Sequence, residues 1–320
     1  MVTRREVMLA GAAACMLGPA ALRAATPQPT VRVSFDVPAG TCDCHTHVFD
    51  PARFALSPTR AFTPQPALPA DMLRMHRSLG VQRVVIVTSS AYGTNNDVTM
   101  HGIREYGAGA RGVVVIADDA TNADLDAMNE AGVRGARLYL ARGTPDPEDS
   151  RARLRALIAR VRPLGWHVQI FANPMMIAAL ESVIADAGVP VVIDHFGGAL
   201  GAGGVAQQGF QSLVALLAAG AAYVKVSAAY RFSGRSPDFP DMGAIARELI
   251  GANPDRILWA SDWPHTNGDM PGKPPHEIFP FIDVDDAHLM NLFARWVPDA
   301  VLRRRIMVDN PARLYGFQER

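Results

Sequence analysis

The sequence predicts an α/β fold, a single (β/α)8 TIM barrel with extra helices at its C-terminal end. Three observations predict it. Short apolar runs recur eight times between residues 41 and 261. A segment with helical periodicity separates each run from the next. Several runs are nearly continuous in Val and Ile, as in Val84-Val85-Ile86-Val87, the pattern of parallel strands buried on both faces. An open doubly wound sheet would call for a glycine-rich phosphate loop after the first run, and that run ends in His-Thr-His instead.

The elements follow in order. Arg4-Arg5 precede a weakly apolar run rich in alanine and glycine, which exits at Arg23-Ala24-Ala25. This reads as a twin-arginine-type signal peptide over residues 1–25, which would place the mature domain, 26–320, in the periplasm. Gly11, Gly18 and Pro19 interrupt the run, leaving it too weak to span a bilayer, and no later segment is long enough. A polar lead-in reaches Gly40. Strands are expected at 41–47, 83–88, 112–117, 135–140, 167–171, 190–194, 222–227 and 256–261. Helices are expected at 70–79, 96–106, 123–131, 146–160, 174–187, 208–219 and 242–251, then at 285–296, 300–305 and 311–315. Asn310-Pro311 reads as a helix start, a side-chain cap followed by proline at the first helical position. No linker divides residues 26–320.

Composition narrows the function. The 320 residues carry 31 basic and 31 acidic side chains, a formal net charge of zero. That gives no electrostatic footprint for nucleic acid or an anionic membrane. Anion binding must come from local arginines. Cys15 would leave with the signal. Cys42 and Cys44 stand two apart on one strand, where a bridge would be strained, so both are expected as free thiols. A homo-oligomer is compatible with the sequence.

In such a barrel, reactive groups sit where strands end at the C-terminal face. The first strand ends in Asp43-Cys44-His45-Thr46-His47, the sixth in Asp194-His195-Phe196-Gly197-Gly198, and the eighth in Ser261-Asp262-Trp263-Pro264-His265. Strict alternation would put Asp43, His45 and His47 on one side of the first strand and both cysteines on the other. His45, His47, His195 and Asp262 thus converge from three strand ends. Neutral imidazoles with one carboxylate suit a single divalent metal, or polarisation of a carbonyl while a base activates water.

These three segments, with the closing run from Val308 to Phe317, resemble the amidohydrolase superfamily, and most of all its lactonase branch. The resemblance spans nearly all of residues 26–320. It implies the same barrel and hydrolysis of a lactone ring. Binuclear members carry a bridging lysine or glutamate on strand four and a histidine ending strand five. Here those strands offer Arg137 and Gln169, so at most one metal is expected, zinc being the natural candidate, and metal-free catalysis is equally compatible. The expected mechanism has Asp262 take a proton from water and later deliver it to the leaving oxygen, with the carbonyl polarised by His45, His47 and His195 or by the metal they hold.

The expected substrate is a small anionic lactone bearing carboxylate or sulfonate. Arg137, Arg142 and Arg231 stand at or just past strand ends, and arginine forks bind such groups bidentately. The Tyr230-Arg231 loop resembles an anion-contacting loop of the branch. Ser89, Tyr92 and Thr94 would add hydroxyl donors, and His265 would line the pocket. Pyrone-dicarboxylate lactonases resemble this chain except for an arginine near the place of Gly198, which points to a different anion or to fewer acid groups on the substrate. His167 is expected to be structural, and His76, His101, His276 and His288 solvated. Two rivals stand beside this reading: a metal-dependent decarboxylase of the same superfamily, and an exported, non-catalytic binding protein.

Overall fold

The computed structural model describes residues 26–140, 145–268 and 270–318. The expected signal peptide and Arg142 lie outside the described residues. All eight expected strands form one parallel sheet. They are β1 (Cys42–Thr46), β3 (Arg83–Val87), β4 (Ala110–Val114), β5 (Val133–Tyr139), β6 (His167–Phe171), β7 (Val191–Ile193), β8 (Ala222–Val226) and β9 (Ile257–Trp259), hydrogen-bonded in that order. Past the end of β9, Asp262 N donates to His45 O and His47 N donates to Trp263 O, which brings the last strand back to the first. Helices α1 (Pro69–Leu79), α2 (Asp97–Tyr106), α3 (Asn122–Glu130), α4 (Pro147–Val161), α5 (Pro174–Ala185), α6 (Phe210–Ala218) and α7 (Pro240–Ala252) fill the crossovers, and α8 (Asp286–Trp296), α9 (Ala300–Arg304) and α10 (Asn310–Tyr315) follow the last strand. Two short strands, β2 (Thr63–Pro64) and β10 (Ile278–Phe279), pair with each other as a small flap. Among the described residues no helix is long and apolar enough to cross a membrane.

Several local expectations are corrected. The run expected at 112–117 pairs only to Val114. Asn96 intervenes: its side chain accepts from Val115 N and donates to Val115 O, occupying groups that a longer strand would need. Asn310 is no N-cap. A π-helical turn, Arg305–Asp309, joins α9 to α10, and Asn310 sits inside a continuous helix with its Nδ2 donating to Pro254 O and Ile257 O.

The third correction concerns β1. Asp43 pairs with Val84 but Thr46 pairs with Ile86, so β1 holds one extra residue. Such a bulge breaks the alternation of side chains. Cys42 and Cys44 join Val85, Val87, Val113, Val192 and Leu258 inside the barrel, above a plug made by Tyr315 and Phe317. His45 and His47, past the bulge, face the interior too. Asp43 turns outward, where its Oδ2 meets His76 Nε2 of α1 at 3.1 Å and its Oδ1 accepts from Ser261 N. The cysteines are therefore not on the face opposite the histidines, though both are free thiols as expected. His76 and His101 are buried rather than solvated.

Candidate active site

The barrel interior is apolar at its base and polar at its upper end. The polar layer is built around Asp194, fully buried just past β7. Its Oδ1 lies 3.2 Å from both His45 Nδ1 and Lys225 Nζ, and its Oδ2 accepts from Arg137 at 3.1 Å and from Gln169 at 3.0 Å. Lys225 also donates to Gln169 Oε1 at 2.7 Å. Burial alone would raise the Asp194 carboxyl. Lys225, His45 and Arg137 outweigh it and hold the group well below the usual carboxylate range. The sequence reading gave Lys225 no role. The signal was there: a lone lysine amid Ala222, Tyr223, Val224 and Val226 needs a buried partner.

Above this layer stand the four expected side chains. Asp262 Oδ2 accepts from Tyr230 Oη at 2.7 Å and Arg231 Nε at 2.8 Å. Asp262 Oδ1 is buried without a hydrogen-bond donor. It faces His45 Nε2 and His47 Nε2, each at 3.7 Å, and His195 Nε2 at 3.8 Å. Each ring is held from behind. His47 Nδ1 lies 2.7 Å from Val87 O, which can only accept, so its proton is on Nδ1 and its Nε2 lone pair faces the centre. His195 Nδ1 meets Ser227 Oγ at 2.8 Å. Burial pulls His47 and His195 down to about 4, and His45 also falls well below its ordinary value. All three rings are therefore neutral near pH 7. Burial would raise Asp262, but Arg231 and the three imidazoles outweigh it and keep it ionised.

His45 is the adjustable member. Its Nε2 lies 3.2 Å from His47 Nε2, while its Nδ1 faces an acceptor, Asp194, and a donor, Lys225. With the proton on Nδ1 it donates to Asp194, and the lone pairs of His45 and His47 both face Asp262 Oδ1. With the proton on Nε2 it donates to His47 and accepts from Lys225. The first arrangement fits a divalent ion. The orphaned Asp262 oxygen and the Nε2 atoms of His45 and His47, 3.2–3.7 Å apart, match donors around one ion with bonds of about 2.0–2.2 Å, and His195 Nε2 stands 3.8 Å from the same oxygen. Asp194 behind His45 supplies the carboxylate–histidine support common at such centres.

The centre is the floor of a cavity of about 770 Å³. Arg137, Arg231, Ser89 and Tyr230 line it, together with Lys273 and the aromatic Phe62, Tyr139, Phe171, Phe232 and Phe279. Three expected contacts fall elsewhere. Tyr92 is buried outside the cavity, its hydroxyl accepting from Asp50 N and its ring stacked on Phe49. Thr94 is exposed on the turn before α2. His265 lies behind Tyr230, between its hydroxyl at 3.2 Å and Asp286 Oδ1 at 3.1 Å. Gly198 has φ +70° and no room for a side chain, since a Cβ there would lie 2.6 Å from Ala172 O.

Backbone strain gathers at this end. His195, Phe196, Ala228, Asp262 and His265 all adopt positive φ, on the loops after β7, β8 and β9. Non-glycine residues adopt this backbone infrequently, and such positions cluster at functional sites, where the surrounding structure holds them.

Comparison with known proteins agrees with this geometry. A family model described as Amidohydrolase matches residues 42–317. The chain is 34% identical over 290 residues to 4-sulfomuconolactone hydrolase of Rhizobium radiobacter, covering 89% of this chain and 92% of that one. It is 31% identical over 299 residues to a 2-pyrone-4,6-dicarboxylate hydrolase of Comamonas testosteroni, covering 89% and 93%. A solved structure of a putative 2-pyrone-4,6-dicarboxylic acid hydrolase from Pseudomonas putida superposes with a TM-score of 0.74 at 30% identity, covering 89% of this chain and all of that one. The barrel, the strand-end cluster and these matches together establish that the chain belongs to the amidohydrolase family.

Proposed function

We propose that the chain is a lactonase that opens the ring of a small anionic lactone, with Asp262 as the group that handles the proton. The observation that carries this is Asp262 Oδ1: buried, without a donor, and ringed by three neutral imidazoles at the floor of an open cavity. Charge supports the anionic substrate. Arg137, Arg231, Lys225 and Lys273 stand in or beneath the cavity against the two carboxylates of Asp194 and Asp262. The relatives named above, hydrolases of a sulfonated lactone and of a pyrone dicarboxylate, point the same way.

The chemistry is a water addition followed by ring opening. Asp262 Oδ1 takes one proton as the water oxygen bonds to the lactone carbonyl carbon. The bond from that carbon to the ring oxygen then breaks, and Asp262 returns the proton to the ring oxygen. The product carries one new carboxyl and one new hydroxyl. Tyr230 and Arg231 hold Oδ2, so Oδ1 alone is free to face the water. That clamp keeps Asp262 a weak base. A divalent ion held by His45, His47, His195 and Asp262 would supply the Lewis acidity that compensates. Arg137, braced against Asp194, and Arg231 would position the acid group of the substrate.

Asp262→Asn should lower kcat by about 10²–10⁴-fold while the far-ultraviolet spectrum stays unchanged. Substantial remaining turnover would reject the role. A lactone panel assayed with and without chelator tests the class, and carbon dioxide release from an aromatic acid with no lactone opened would overturn it. Export by the twin-arginine route is part of the same proposal. Replacing Arg4 and Arg5 by lysine should leave the protein in the cytoplasm, and unimpaired export would refute that route.

A further inference from the structure

We propose that the substrate carries, besides one acid group, an apolar arm (an aryl or branched alkyl group) that lies under the flap formed by β2 and β10. This rests on the lactonase reading and narrows it. Size comes first. Even at the ~30 Å³ that a whole water occupies in the liquid, a twelve-atom lactone acid would fill only ~360 Å³. The cavity holds about 770 Å³.

The surplus space is apolar on two sides. Phe62 and Phe279 line it from the flap, their rings 6.2 Å apart, and Met270 and Ile282 line the same cavity. Tyr139 and Phe171 form a second aromatic wall, their rings edge to face at 5.2 Å and flanked by the Arg137 guanidinium at 5.5 and 5.6 Å. Tyr139, Phe171, Met270 and Ile282 are only partly buried. Apolar surface left wet within a cavity gains most when a ligand covers it. The flap that brings these rings in is tied down, with Thr63 Oγ1 donating to Pro275 O at 2.7 Å and Lys273 Nζ 5.4 Å from the Phe279 ring.

The polar inventory limits the acid groups. Arg137 and Arg231 each already face a carboxylate, Asp194 and Asp262. Lys225 is buried beneath the cavity on the same Asp194, and Lys273 is the cavity cation that meets no carboxylate among the described residues, a lone free cation that suits one substrate acid. Rings on both walls favour an aryl arm, since offset and edge-to-face contacts add to area burial.

The test compares 5-oxotetrahydrofuran-3-carboxylates carrying hydrogen, methyl or phenyl at carbon 2. The phenyl compound should show kcat/KM at least about tenfold above the hydrogen compound, mostly through KM. Phe279→Ala, or Ile282→Ser if that variant does not fold, should cut this ratio at least about fivefold. A binding measurement independent of turnover runs alongside: 3-phenylpropanoate should raise the Tm of the unmodified protein more than propanoate at equal concentration. Equal or reversed kcat/KM across the arms overturns the apolar-arm subsite and leaves the lactonase reading standing. If none of these lactones opens, the Tm comparison decides the subsite by itself: a larger shift with 3-phenylpropanoate supports it, and equal shifts overturn it.

Discussion

Lys225 and the three histidines carry the most consequential residue-scale chemistry. The Lys225 ammonium is fully buried and reaches Asp194, Gln169 and His45 together. Breaking a buried pair from one side leaves a charge without its partner and costs about 3–5 kcal/mol. Lys225→Met should therefore lower the urea unfolding free energy at pH 7 by about that much. A loss below about 1 kcal/mol would mean that Arg137 and His45 suffice for Asp194. The histidines set a pH dependence. His47 and His195 titrate at about 4 when folded and near 6.5 when unfolded. The unfolded chain thus binds more protons between those values, so stability is whole above about pH 6.5 and falls as the pH drops toward 4. The slope should approach ~1.4 kcal/mol per pH unit for each ring. Urea denaturation of metal-free protein at pH 7, 6 and 5 measures it, and a flat profile would contradict neutral, buried rings.

At the scale of elements, irregularities place the site. The bulge in β1 lets Cys44 and His45 both face inward and aims Asp43 at α1 and Ser261. A period-two reading cannot foresee it, because one inserted residue reverses every side chain beyond it. The π-turn before α10 plays a similar part. It carries Asn310 under the barrel, where the side chain bridges Pro254 O and Ile257 O. Asn310→Ala removes both bonds and strands two carbonyls. The expected loss is about 2–3 kcal/mol, seen as a fall in the thermal midpoint. An unchanged midpoint would show that water replaces the amide.

The whole molecule separates stability from chemistry along the barrel axis. Cys42, Val113, Val192 and Leu258 fill the base over Tyr315, while charged and hydrogen-bonding groups fill the upper end. A ligand that binds only the folded state raises stability by mass action, about 2.7 kcal/mol at a hundred times its dissociation constant. Zinc should therefore raise the Tm of metal-free protein, and elemental analysis should find one ion per chain. His47→Ala should abolish the shift. No shift in the unmodified protein would favour the arrangement in which His45 donates to His47.

What the sequence by itself determined is the barrel and the four side chains at its centre. Both are legible because buried parallel strands write short apolar runs and helices a period of 3.6, and because strand ends mark one face of a barrel. His45, His47, His195 and Asp262 could be picked out from three separate motifs without knowing any contact. Only the tertiary structure decided how they are held. Lys225 and Asp194 are 31 positions apart, Arg137 and Asp194 are 57, and the bulge shows only when β1 is laid against β3. Tyr92, Thr94 and His265 left the expected pocket for the same reason: their loop positions were readable, but which way each side chain turned depended on packing against distant residues. The balance of buried charge, the tautomers and the shape of the cavity all arise between chain segments far apart in sequence, where no local pattern records them.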